Sequence, residues 1–206
     1  LFNWHHDAEQ ATVDLNKLGL PASADDLYVG FDFWENEFVA PFAGEFTVDL
    51  RPTSCRVIAI RRLLERPALI STSRHVTQGV VDVSNETWDA EANVLSGASK
   101  VVGGDPYELR IVAPLRPDAW EIESVEVFHE DMGVDPDVSF EQDGPEVRIA
   151  INSPVTCEIQ WQAGFQKRVA SSEEWRREEV ARIAAPVPRP AAEVTELVPG
   201  LNYDYY

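Results

Sequence analysis

Through residue 168 the dominant rhythm of the chain has a period of two, apolar against polar, which is the signature of strands with one face in a core. Residues 11–15, 45–50 and 107–113 alternate in this way, the last with Tyr107, Leu109 and Ile111 inward. Residues 27–34 place Leu27, Val29, Phe31 and Phe33 on one face and Tyr28, Asp32 and Trp34 on the other, and residues 35–37 are expected to turn the chain into Phe38 and Val39. Residues 55–60 are apolar on both faces, which predicts a strand buried between two layers. Residues 61–67, with four charged side chains around Leu63 and Leu64, read as a change-over between blocks.

The alternation then resumes. Residues 85–93 read as a polar turn carrying Trp88. Residues 120–127 alternate but change phase at Ser124 and Val125, as a β-bulge would produce. Asp143-Gly144 between two apolar runs is a hairpin signal. Cys157, Ile159, Trp161, Ala163 and Phe165 share one face. About seven strands in about 100 residues is the pattern of an immunoglobulin-like or fibronectin-like sandwich. Beyond residue 168 the rhythm changes. Residues 172–183 begin with a Ser cap and acidic first-turn residues, and predict a short helix. A proline-rich spacer at 185–192 follows, and residues 197–206 resemble the start of a further module. The expected fold class is therefore all-β. Two antiparallel β-sandwich-like blocks, 1–63 and 64–168, precede a helix, linker and extended tail at 169–206. Both ends look cut from a longer polypeptide, so localisation stays open, with secretion or a periplasmic location compatible.

One stretch breaks the plain pattern. Residues 69–79 pack Ser71, Thr72, Ser73, Arg74, His75, Thr77 and Gln78 between Leu69, Ile70 and Val76. Such hydrogen-bonding capacity beside apolar anchors predicts a strand at a seam, with side chains fixed in a network. A ligand contact through Arg74, His75 and Gln78 is the alternative.

Charge narrows the function classes. The chain of 206 residues has a formal net charge of -19, which argues against nucleic acid and against anionic membranes as partners. Cys55 and Cys157 are read as small buried hydrophobes, with a disulfide between the blocks as the alternative. No phosphate loop, dinucleotide fingerprint or nucleophile elbow is present. Asp32 with Glu35, and Asp105 with Glu108, are the carboxylate pairs to test against glycoside hydrolysis, which needs two carboxyl groups about 5–10 Å apart across a sugar. Neither stretch suggests a cleft. His5 and His6, adjacent on a strand, point to opposite faces and do not share an ion, and His129 at a strand end is expected in solvent. No cofactor or metal is implied. Trp120 and Trp161 follow the inward register, whereas Trp34 and Trp88, beside polar turns, are the aromatics expected at the surface and the candidates for stacking on a sugar.

Five segments carry a resemblance: Leu1-Phe2-Asn3-Trp4, residues 28–36 with Phe31-Asp32-Phe33-Trp34, residues 54–61 beginning Ser54-Cys55-Arg56-Val57, residues 69–79, and residues 95–109. Together they resemble the C-terminal β-region of bacterial α-galactosidase-like glycoside hydrolases of the melibiase, family 36, type. In that family the region is an antiparallel sandwich against a catalytic (β/α)8 barrel. The resemblance covers roughly residues 1–165. It implies a retaining glycosidase as the parent polypeptide and the catalytic barrel as the partner of this region. The family's catalytic aspartates lie in the barrel, and no alternating β/α pattern occurs here, so no catalytic residue is carried over. The expected role is an accessory region without turnover. The alternatives are a carbohydrate-binding module acting through Trp34, Trp88, Arg74, His75 and Gln78, and an adhesion-type interaction domain.

Overall fold

A computed structural model of the chain describes residues 1–74, 82–114, 118–129 and 135–168. Among them the fold is all-β and every strand pairing is antiparallel. The helix expected at 172–183, the proline-rich spacer, the closing segment, His75 and Gln78 lie outside the described residues.

Strands from residues 1–62 pair only with one another. β1 (Phe2–Asn3) pairs with β6 (Ser54–Cys55), and β2 (Glu9–Asp14) with β5 (Glu45–Leu50). A third sheet orders β4 (Glu37–Phe42), β3 (Tyr28–Asp32) and β7 (Ile58–Arg62). A short 3-10 turn, Leu15–Leu18, follows β2; Asp14 caps it, and Gly19 closes it at φ 73, a conformation that favours glycine. The core of this block gathers Leu15, Val29, Phe31, Val48 and Leu50.

The strand buried on both faces is β3, the central one, and not residues 55–60 as the apolar run there suggested. Polarity misled because the polar groups of β3 are satisfied inside the block. Tyr28 donates its hydroxyl to the Pro21 carbonyl at 2.9 Å. Asp32, 1% exposed, accepts from the backbone N–H groups of Trp34 and Glu35 and from Arg56 Nε. Gly30 lets β7 approach, since a Cβ there would lie 2.6 Å from the Ala59 carbonyl oxygen. The strand is interrupted at Arg56 and Val57 between β6 and β7, so the apolar run is two short pieces. The hairpin between β3 and β4 turns at residues 33–36, with Asn36 at φ 55.

The remaining strands form two four-stranded sheets. One orders β12 (Ala119–Phe128), β15 (Cys157–Arg168), β10 (Val94–Val101) and β9 (Val83–Asp89). The other orders β13 (Asp137–Asp143), β14 (Glu146–Asn152), β11 (Tyr107–Val112) and β8 (Ala68–Thr72). They enclose one core, with Leu95, Leu109, Ile111, Ile149, Ile159 and Trp161 fully buried. Trp161 lies over Gly97, where a Cβ would come within 2.6 Å of the indole. The predicted bulge is present as a register shift between Ile122 and Ser124, and Asp143 and Glu146 face each other across the two-residue Gly144-Pro145 turn. Residues 85–89, read as a turn, belong instead to β9; their polar side chains line the outer face of an edge strand, and the turn begins after Asp89. Cys55 and Cys157 are both free and half-buried.

Candidate functional site

The two blocks meet on arginines. Arg110 on β11 and Arg148 on β14 are directly opposite in the ladder. Their guanidinium groups lie over aromatic rings of the first block: Arg110 sits 4.0 Å from the Phe31 centroid and 5.5 Å from that of Phe33, and Arg148 sits 5.3 Å from those of Phe31 and Phe38. Glu108 accepts from Arg110 at 2.6 Å and from Arg148 at 3.0 Å. Asn36, at the tip of the β3–β4 hairpin, accepts from both arginines on Oδ1 and from Arg148 on its carbonyl at 2.7 Å. Burial lowers the pKa of Arg110, Glu108 counteracts this, and Arg148 adds to it. Because β11 carries a core on one face and this seam on the other, Arg110 is 5% exposed.

The polar stretch after residue 68 feeds the same region. Arg110 Nη1 donates to the Thr72 carbonyl at 2.9 Å, and Arg61 bonds to the Leu69 carbonyl and to Glu86. Thr72 Oγ1 donates to Asp82, which also accepts from Tyr107 at 3.1 Å. The Tyr107 hydroxyl and Trp161 Nε1 meet at Ser99 Oγ, at 3.0 and 2.9 Å. Ser73 Oγ accepts from the Glu108 N–H, and Arg74 pairs with Asp105 at 3.0 Å while lying over the Tyr107 ring.

The proposed carboxylate pairs are committed to this architecture. Asp32 is enclosed by backbone donors and Arg56, and Glu35 is held by both Nη2 bonds of Arg51. Glu108 binds two arginines, and Asp105 binds Arg74. His5 and His6 are exposed, and no group of three metal-ligating side chains occurs among the described residues. His129 departs from its expected place in solvent. Its side chain is 7% exposed, with Nε2 3.4 Å from Asp135 and Nδ1 buried without a partner among the described residues.

Of the residues singled out for sugar contact, Trp34, Arg74 and Trp88 are described, and Arg74 and Trp88 do not converge. Trp34 is 54% exposed on the β3–β4 turn, edge-on to Phe33. Arg74 lies at the Tyr107 end of the second block. Trp88 lies about 15–20 Å further along β9 from Asp82 at ordinary strand rise, half-buried against Trp120 and Phe165. Comparison with protein families, curated proteins and solved structures gave no match.

Two surface features remain. The first is an apolar edge on the first block. Phe2 and Trp4 are 65% and 78% exposed and stack in parallel with centroids 5.5 Å apart. Between them Asn3, 1% exposed, donates to the carbonyls of Asp7, Leu50 and Arg51 and fixes the strand so that its neighbours face out. Leu1 and Arg56 exchange backbone hydrogen bonds, and Phe33 N–H donates to the Val57 carbonyl, so the segments carrying Leu1, Phe2, Val57 and Trp34 run side by side. Strand alternation at Phe2-Asn3-Trp4 was the available signal for this edge. The second feature is a cavity beside Trp88 and Trp120, rimmed by Arg66 and Lys167. Those two cations are far apart in sequence and carry no motif.

Proposed function

We propose that this chain is the non-catalytic accessory β-region of a multimodular glycoside hydrolase related to the α-galactosidases. In this reading the first block docks against a (β/α)8 catalytic barrel of the parent polypeptide, and the second block, an immunoglobulin-like sandwich, is held rigidly behind it by the arginine seam. The observation that carries the reading is the apolar edge at Phe2 and Trp4, 65% and 78% exposed and stacked in parallel. Two large aromatic side chains stacked together at the surface are the kind of feature that marks a site for a partner. The resemblance of residues 1–165 supplies the identity of that partner. The two carboxylate pairs weighed in the sequence, Asp32 with Glu35 and Asp105 with Glu108, are each engaged by arginines or backbone N–H groups.

A second reading has one observation in its favour. The parallel Phe2–Trp4 pair offers an exposed aromatic face, the kind of surface on which a pyranose ring stacks. The two readings separate in one experiment on the whole chain. An aryl α-galactoside assay, a hydrophobic dye and gel retardation in a galactomannan are applied to the protein and to its Trp4→Ser variant. The accessory reading expects no hydrolysis, dye binding that falls in the variant, and unretarded migration. Retardation abolished by Trp4→Ser establishes the sugar-binding reading instead, and hydrolysis lost on changing a carboxylate of this chain overturns both.

A further inference from the structure

A cavity of about 410 Å3 opens where the segment joining the blocks passes the end of the second sandwich, lined by Leu64, Glu65, Arg66, Trp88, Trp120 and Lys167 among others. Small-molecule sites occupy roughly 300–1,000 Å3, so the size suits a compact ligand. Two indoles form its wall. Trp88 meets Trp120 at an interplanar angle of 89° with centroids 5.2 Å apart, and Phe165 supports Trp88 from the core. Trp120 Nε1 donates to the Glu65 carbonyl at 3.1 Å, which fixes the joining segment against the sandwich. Each ring carries a cation. The Arg66 guanidinium lies 5.9 Å from the Trp88 centroid, and Lys167 Nζ lies 5.1 Å from that of Trp120.

That convergence runs against the composition, since the chain has 17 Lys and Arg against 36 Asp and Glu. Arg66 donates to the carbonyl of its neighbour Pro67, and no carboxylate hydrogen-bonds to it among the described residues. Burial lowers its pKa, Glu86 acts in the opposite sense, and Arg61 adds to the lowering. Its guanidinium is thus partly stripped of water, with no carboxylate bonded to it among the described residues. Lys167 pairs with Asp118 at 2.8 Å, but both side chains are about half exposed, at 52% and 48%. Such a pair contributes little and exchanges readily for another carboxylate. The exposed Glu65 at the rim disfavours a second negative charge on the ligand.

We propose that this cavity binds a monoanionic ring carboxylate, its flat apolar face against Trp88 and its carboxylate between Arg66 and Lys167. A hexuronate at the end of a saccharide and an aromatic acid share this chemistry. The assignment is independent of whether the first block docks on a barrel.

Tryptophan fluorescence of the whole chain, titrated with galacturonate, benzoate and neutral galactose, tests it. The expected result is a saturable response to at least one acid at a tenfold or more lower concentration than to galactose. Saturation by galacturonate alone assigns the saccharide end, and saturation by benzoate alone assigns an aromatic acid. Lys167→Gln, at an exposed position that leaves the fold intact, weakens the response tenfold or more, as does Arg66→Gln. Asp118→Asn, which releases Lys167, strengthens it. Equal response to galactose and the acids, no saturable response to either acid, or affinities unchanged in both Gln variants would overturn the proposal.

Discussion

Arg110 and Arg148 face each other on neighbouring strands, and Glu108 bonds to both. Like charges opposite one another destabilise a sheet. Here one carboxylate and three phenylalanine rings of the other block offset the repulsion, so the seam needs both blocks present. Arg110→Ala removes the more buried partner and leaves Glu108 and the Thr72 carbonyl short of a donor. The expected cost is about 3 kcal/mol, the order found on breaking a buried pair, which lowers Tm by roughly 6–12 °C in a protein of this size. Arg110→Lys restores little of it, because an ammonium cannot match the planar fork that stacks and bonds at once. Thermal unfolding followed by circular dichroism gives both values.

Tyr107 makes the stability pH-dependent on the alkaline side. Burial raises its pKa above the ordinary 10.0, with the Ser99 hydrogen bond opposing and Asp82 adding to the rise. A group whose folded pKa is raised stabilises fully below its unfolded pKa and loses that contribution as pH rises through the folded value. Stability should therefore fall as the pH climbs above about 10, because the unfolded chain ionises first. Urea unfolding at pH 8, 10 and 11 is the measurement. In Tyr107→Phe the alkaline fall is shallower, although the variant is weaker at pH 8 by about 1 kcal/mol for the lost hydrogen bonds.

Arg74 is expected to matter modestly. Its partner Asp105 is 59% exposed, and the ring it covers is already buried. Arg74→Ala should cost about 1 kcal/mol or less, in keeping with an exposed ion pair plus lost stacking. The same variant should leave any response to sugars unmoved. A loss of sugar response without a loss of stability would place Arg74 in a binding site.

The all-β class and most strands of the second block were legible because that block obeys a single rule, inward alternation over long strands. Cys157 to Phe165 and Tyr107 to Ile111 follow it, and even the bulge beside Ser124 shows as a phase change. The first block was less legible. In β3 both faces are buried, and Tyr28 and Asp32 masquerade as solvent-facing because their partners, the Pro21 carbonyl in the preceding loop and Arg56 beyond β5, carry no pattern that marks the pairing. The polar stretch after Leu69 forms a hydrogen-bonded network at Thr72, Ser73 and Arg74 with residues of the second block, and the first block reaches it through Arg61 at the Leu69 carbonyl. Its counterpart was invisible, because Arg110, Arg148 and Asn36 lie on three separate elements. Trp88 reads as a turn residue in the sequence because β9 is an edge strand whose outer positions are polar. Arg66 and Lys167 meet only through the fold.

The most direct test of the accessory role is the coding sequence in frame with Leu1 and preceding it. The account predicts a (β/α)8 barrel there, with strands and helices alternating and paired catalytic aspartates at strand ends. A frame that encodes no barrel on that side would contradict it.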